Sequence, residues 1–161
     1  MSTEPLIQAL DEMIRLHKSL HQLAKNKTDI VIKGEIVALQ SLLKEESKHV
    51  QAIKKTEAEI QELIKHLQTD NKIYDQYNLN TLIELADADE KAVLISLKNE
   101  LTQQINLVNE QNKVNQQLLE QSLQFVNASL DILIPDTDSF NYDPNERPLE
   151  QKGRSIFDSK A

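Results

Sequence analysis

The chain has 161 residues, which suits one domain and is short for two. Only 2 Gly and 4 Pro occur and aromatics make up 4%, too few turn and strand formers for a parallel α/β domain or a β-barrel. Lys and Arg number 18 against 26 Asp and Glu, for a net charge of -8, so a nucleic-acid backbone would be repelled rather than neutralised. Cysteine is absent, which removes disulfides, thiolate zinc sites and cysteine nucleophiles.

The first element is signalled by Leu6, Ala9, Met13, Leu16, Leu20 and Leu23, which recur at alternating steps of three and four as on one face of an amphipathic helix. Ser2 or Thr3 is placed to accept the free amide protons of the first turn, and Pro5 is tolerated there because its missing donor would be unpaired anyway. The helix is expected over about residues 3–32, ended by Gly34 in a left-handed conformation. No basic stretch precedes an apolar run here, and nothing in the chain approaches the roughly 18 apolar residues of a membrane span. A cytoplasmic protein without membrane insertion is expected.

Beyond that turn, Ile36, Leu39, Leu43, Glu46, Val50, Ile53, Glu57, Ile60, Ile64 and Leu67 keep an unbroken 3,4 spacing, which reads as the a/d seam of a coiled coil. A helix over about 35–69 would be roughly 50 Å long, at about 1.5 Å per residue. A rod of that length needs another long helix to cover its stripe.

Residues 69–80 carry turn formers together with Tyr74 and Tyr77 and read as a loop packed on the bundle. Thr81 with Glu84, and Asp87 with Glu90, have the spacing of two capping boxes. They predict a short helix over 81–86 and a long one over 88–134. In the long one the 3,4 spacing returns through Leu94, Leu97, Leu101, Gln104, Val108, Gln111, Asn115, Leu118, Ser122, Phe125, Ser129 and Ile132, widened by Ile105, Asn112, Leu119 and Val126. Its middle is rich in amides and its ends are apolar. Residues 135–161 hold three of the four prolines and no helical stripe, a flexible composition. Yet Phe140, Tyr142, Leu149, Ile156 and Phe157 stand in it as isolated apolar anchors, which suits a segment that orders on a partner.

The expected fold is therefore all-α: an elongated antiparallel helical bundle or coiled-coil hairpin of three long helices and one short one over 1–134, with a flexible partner-binding tail over 135–161. Chemistry finds little purchase on it. His17 and His21 lie one turn apart and Glu46-x-x-His49 is half of a di-iron signature, but a third ligand or a second such motif is missing. Surface histidines and a polar layer setting helix register are the better account. No serine sits in a Gly-x-Ser-x-Gly turn and no Gly-rich loop could cradle phosphate. A binding protein without cofactor, metal or catalytic residue is expected.

The order of these parts resembles the FlgN-type flagellar export chaperones. The likeness is carried by the first helix with Leu16, Leu20 and Leu23, the turn Lys33-Gly34-Glu35 followed by Ile36-x-x-Leu39, and the long heptad helix. It continues in Leu107-Val108-Asn109-x-x-Asn112-x-x-Asn115-x-x-Leu118-Leu119, in Tyr142-Asp143-Pro144, and in the ending Ser155-Ile156-Phe157-Asp158-Ser159-Lys160-Ala161. The resemblance implies type III export of hook-associated (hook-filament junction) proteins, with C-terminal residues that bind client and export gate in turn. On that reading Asn109, Asn112, Asn115, Leu118, Leu119, Phe125, Val126 and Ile132 contact the client, and Phe140, Tyr142, Ile156 and Phe157 clamp it or dock on the gate. The competing expectation is a structural coiled-coil protein that forms a homodimer through the same seam without an export role; for either reading the seams close within one chain or by exchange of helices between two copies.

Overall fold

The computed structural model describes residues 2–74 and 77–133. The regular elements among these are all helices: α1 (Glu4–Lys33), α2 (Ile36–Asp70), α3 (Leu79–Leu85) and α4 (Ala88–Leu133). The chain divides into two compact units, Met1–Glu120 and Gln121–Ala161. The second is described over 121–133, all of it in α4.

Helix ends follow local chemistry, with two departures from expectation. Gly34 takes φ 71°, and the amides of Gly34 and Glu35 reach the carbonyls of Val31 and Ile30 at 3.2 Å, the Schellman pattern that satisfies the last carbonyls of α1. The same pattern closes α2 without glycine: Lys72 sits at φ 58°, with the Lys72 and Ile73 amides on Thr69 and Gln68. Neither Ser2 nor Thr3 caps α1. Thr3 is buried and its hydroxyl instead donates to Glu90 Oε1 at 2.8 Å. α3 starts two residues earlier than the capping-box reading, because the Asn78 carboxamide accepts from the Thr81 amide at 2.9 Å and from the Thr81 hydroxyl. Asp87 does cap α4, accepting from the Glu90 amide at 2.9 Å.

Within the first unit α1 is the central helix. It runs antiparallel to α2, as Ser19 with His49 and Lys27 with Glu46 show. It runs parallel to α4, which meets it in the order Thr3 with Glu90, Lys18 with Glu100, and Ala24 with Asn115. The apolar core lies at the end away from the Gly34 turn. There Leu6, Leu10 and Met13 meet Ile60 and Ile64 of α2, Leu82 and Ile83 of α3, and Leu94 of α4.

The covered row of α2 differs in part from the one read in the sequence. Leu39, Glu46, Ile53, Ile60, Ile64 and Leu67 face inward as expected, but the alternate row is completed by Leu42, His49, Thr56 and Leu63 rather than by Leu43, Val50 and Glu57, which are exposed. Two of the four residues in the true row are polar, so a search for greasy residues settles one position off. Each polar member is satisfied: the Thr56 hydroxyl donates to the Ala52 carbonyl at 3.0 Å, and His49 is bonded at both ring nitrogens.

Candidate partner-binding surface

The geometry of the polar groups rules several of them into structural roles. His49 Nδ1 donates to the Glu45 carbonyl at 2.8 Å, so its Nε2 accepts from the Ser19 hydroxyl at 2.7 Å. His17 Nδ1 donates to the Met13 carbonyl. Glu46 is engaged by Lys27 Nζ at 3.1 Å, with both side chains largely buried. Burial, and secondarily the charge of Lys25, holds the His21 pKa below its ordinary value. Among the described residues no three His, Asp or Glu side chains gather as metal ligands would. Where α1 and α4 begin side by side, an open cavity of about 420 Å³ is lined by Ser2, Thr3, Glu4, Asp89 and Glu90. Its acids answer the positive ends of two helix dipoles, and Glu90 is engaged there by the Thr3 hydroxyl.

The apolar surface is more telling. In the first unit, α2 and α4 leave a groove between them over α1. Ile53, Ile60 and Ile64 line it from α2 and Leu101 and Ile105 from α4, around a cavity of about 340 Å³. Leu10, Met13 and His17 form its floor, and Tyr77 and Leu79 close one end. Two steps of seven back along α2 from Ile64 bring Glu57 and Val50, and a third brings Leu43; one and two steps on along α4 from Ile105 bring Asn112 and Leu119. Val50 and Leu43 are 41% and 45% exposed, so the greasy row that sequence reading placed in a seam is instead the uncovered side of this groove.

Of the residues singled out in the sequence, Asn109 and Asn112 are exposed amides beside this groove and Leu119 lies along it, with Leu118 half-buried. Asn115 is different. Only 2% exposed, it donates to the Ala24 carbonyl at 2.8 Å and accepts from the Thr28 hydroxyl, to which Gln111 also donates. Its amide joins α4 to α1 and is not on offer to a partner. The periodicity of Leu43, Val50 and Ile105 is that of a core stripe, so no local signal marks them as surface.

In the second unit, residues 121–133 form a helix whose apolar side chains are nearly all in water. Phe125 is 74% exposed and Ile132 77%, and Leu123, Val126, Leu130 and Leu133 are exposed as well. At 100° per residue Phe125 and Ile132 make one ridge and Val126 and Leu133 another, with Ser122 and Ser129 in the furrow between. Large apolar side chains on a helix belong under cover.

An all-helical scaffold with these uncovered surfaces is matched over residues 1–150 by the family described as FlgN protein. The chain belongs to the FlgN family, whose members are flagellar export chaperones. A protein of Bacillus subtilis (strain 168) described as uncharacterized protein YvyG is 31% identical over 167 aligned positions, which cover the whole of both chains. No solved structure matches. In this FlgN-family protein Phe140 and Tyr142 fall within the family match, whereas Ile156 and Phe157 lie beyond it. All four lie outside the described residues. No helix among the described residues is long and apolar enough to cross a membrane.

Proposed function

We propose that this protein works in the cytoplasm as a type III export chaperone that binds the terminal amphipathic helices of hook-associated flagellar proteins. It prevents their premature assembly and delivers them to the cytoplasmic domain of the export gate. The observation that supports this reading is the helix over 121–133, whose two apolar ridges and serine furrow suit an incoming helix in the helix-in-groove manner. Phe125, Val126 and Ile132 there, with Leu118 and Leu119, carry client affinity. Asn109 and Asn112 are the client contacts of the first unit on this reading, where Asn115 holds α4 to α1.

Removing apolar area from water is worth about 25 cal/mol per Å², set against the entropy of ordering the tail. Phe140, Tyr142, Ile156 and Phe157 then serve clamping or gate docking. No bond is made or broken: the chaperone stabilises one client state by mass action, so neither cofactor nor catalytic residue is required.

Calorimetry of the full chain with hook-associated proteins of the same cell tests this. A complex of one chaperone per client is expected, weakened at least tenfold by Phe125→Ser with Ile132→Ser. Tyr142→Ala with Phe157→Ala is expected to weaken client or gate binding, and unchanged affinity for both would show the tail assignment to be wrong. The row Ile36, Leu43 and Val50, uncovered at heptad spacing, favours one other reading, a structural homodimer with exchanged helices. A tight dimer indifferent to client and tail would establish it.

A further inference from the structure

We infer that the groove between α2 and α4 in the first unit, whose α4 side includes the Asn109, Asn112 and Leu119 given above to the client, takes one amphipathic α-helix of another protein with acidic residues along the side that meets α2. α1 is covered by α2 on one flank and α4 on the other, and the space between those two flanks holds a cavity walled by aliphatic side chains. Its open rows, Val50 and Leu43 on α2 with Ile105 and Leu119 on α4, have the seven-residue recurrence with which one helix meets another. From Ile64 to Leu43 the groove is roughly 32 Å long, at about 1.5 Å per residue, which a helix of about twenty residues fills.

The rims give the occupant its chemistry. Along the outer side of α2 the groove is edged by Lys44, Lys54 and Lys65, all exposed, in a protein whose net charge is -8. The α4 rim carries the exposed amides Asn109, Asn112 and Gln116, with Lys113 and Glu120 offsetting each other at the register that Lys44 and Lys65 hold on α2. One flank therefore attracts carboxylates and the other hydrogen-bonds without charge preference. Glu57 is the acid among the lining residues, so the guest needs a hydrogen-bond donor or cation at the matching position. That the helix comes from an export client rests on the function proposed above; that the groove takes a helix of this chemistry does not.

The two are separable with synthetic peptides. A fluorescent 21-residue peptide with an aliphatic heptad face and Glu along one flank is titrated against the full chain by anisotropy, beside a twin carrying Lys in place of Glu. The Glu peptide is expected to bind at least tenfold more tightly than its twin. Leu43→Glu with Val50→Glu, exposed positions whose helicity is checked by circular dichroism, is expected to weaken it at least tenfold. Lys54→Glu with Lys65→Glu is expected to reverse the preference. Equal affinities for the twins, no binding, or indifference to these variants would overturn the proposal. So would a dimer by light scattering that Val50→Glu dissolves, which would give the groove to a second copy. Replacing Phe140, Tyr142, Ile156 and Phe157 by Ser in the full chain should leave the affinity unchanged; a tenfold gain would give the groove to the chain's own tail. Absence of any hook-associated partner, with the peptide result intact, would sink the export reading alone.

Discussion

The two ends of the first unit are built from similar residues and held by different forces. At the α3 end, Leu6, Leu10, Leu82 and Leu94 are buried essentially completely, with Ile64 and Ile83 beside them. Around the Gly34 turn, Ile32, Ile36 and Val37 stand in water, and the helices are joined by polar contacts: Lys27 with Glu46, Ser19 with His49, and Asn115 with Ala24 and Thr28. Directional bonds of this kind fix register and contribute modestly to stability, whereas apolar burial supplies most of the driving force. The lesson is that one end of the scaffold is closed by its own short helix, while toward the other the apolar side chains are left for something else to cover.

Substitutions can break or sharpen that contrast. Leu82→Ala empties the centre of the α3 end and is expected to cost about 3 kcal/mol in urea denaturation, the usual range being about 2–5 kcal/mol. Ile36→Ala at the turn end is expected to stay within about 0.5 kcal/mol, and equal costs would erase the distinction. Asn115→Ala removes its bonds to the Ala24 carbonyl and the Thr28 hydroxyl, which keep each other, and is expected to cost about 1.5 kcal/mol. A double-mutant cycle with Thr28→Val should show coupling between the two sites. Lys72→Gly relieves a left-handed backbone carrying a Cβ and is expected to raise stability by about 1 kcal/mol.

The smallest effect concerns pH. Because burial and then Lys25 lower the His21 pKa in the fold from its ordinary 6.5, the unfolded chain takes up its proton first as pH falls. The stability tied to His21 is therefore complete above about pH 6.5 and is lost as pH drops through the lowered folded value. His21→Gln should flatten that part of the pH profile in denaturation experiments.

How far the sequence carried the reading depended on whether a seam was apolar. The α4 seam through Leu94, Leu101, Val108 and Asn115 is covered in the phase its spacing predicts, because its amides fall on the same row as its leucines. In α2, His49 and Thr56 hold inward positions off the expected row and satisfy themselves with Ser19 and the Ala52 carbonyl. A polar residue that finds its partner only in the folded state is invisible to periodicity, so Leu43 and Val50 drew the reading to the wrong row. Gly34 announced its turn because αL favours glycine, whereas Lys72 adopts the same conformation with no such residue to mark it. The amides Asn109 and Asn112 were legible as surface. Asn115, three residues on, falls on the seam by its spacing, but which groups of α1 it bonds there depends on where α1 lies, and no local pattern contains that.

The account rests on the uncovered apolar faces being there to receive a partner helix. Hydrogen exchange of the full chain, alone and mixed with hook-associated proteins of the same cell, tests this most directly. The prediction is strong new protection over residues 118–133 with little change in α3 and the first turns of α1, where the fold already closes itself. Exchange that is unchanged by every such protein, or protection already present over 118–133 in the chain alone because copies pair with each other, would contradict it.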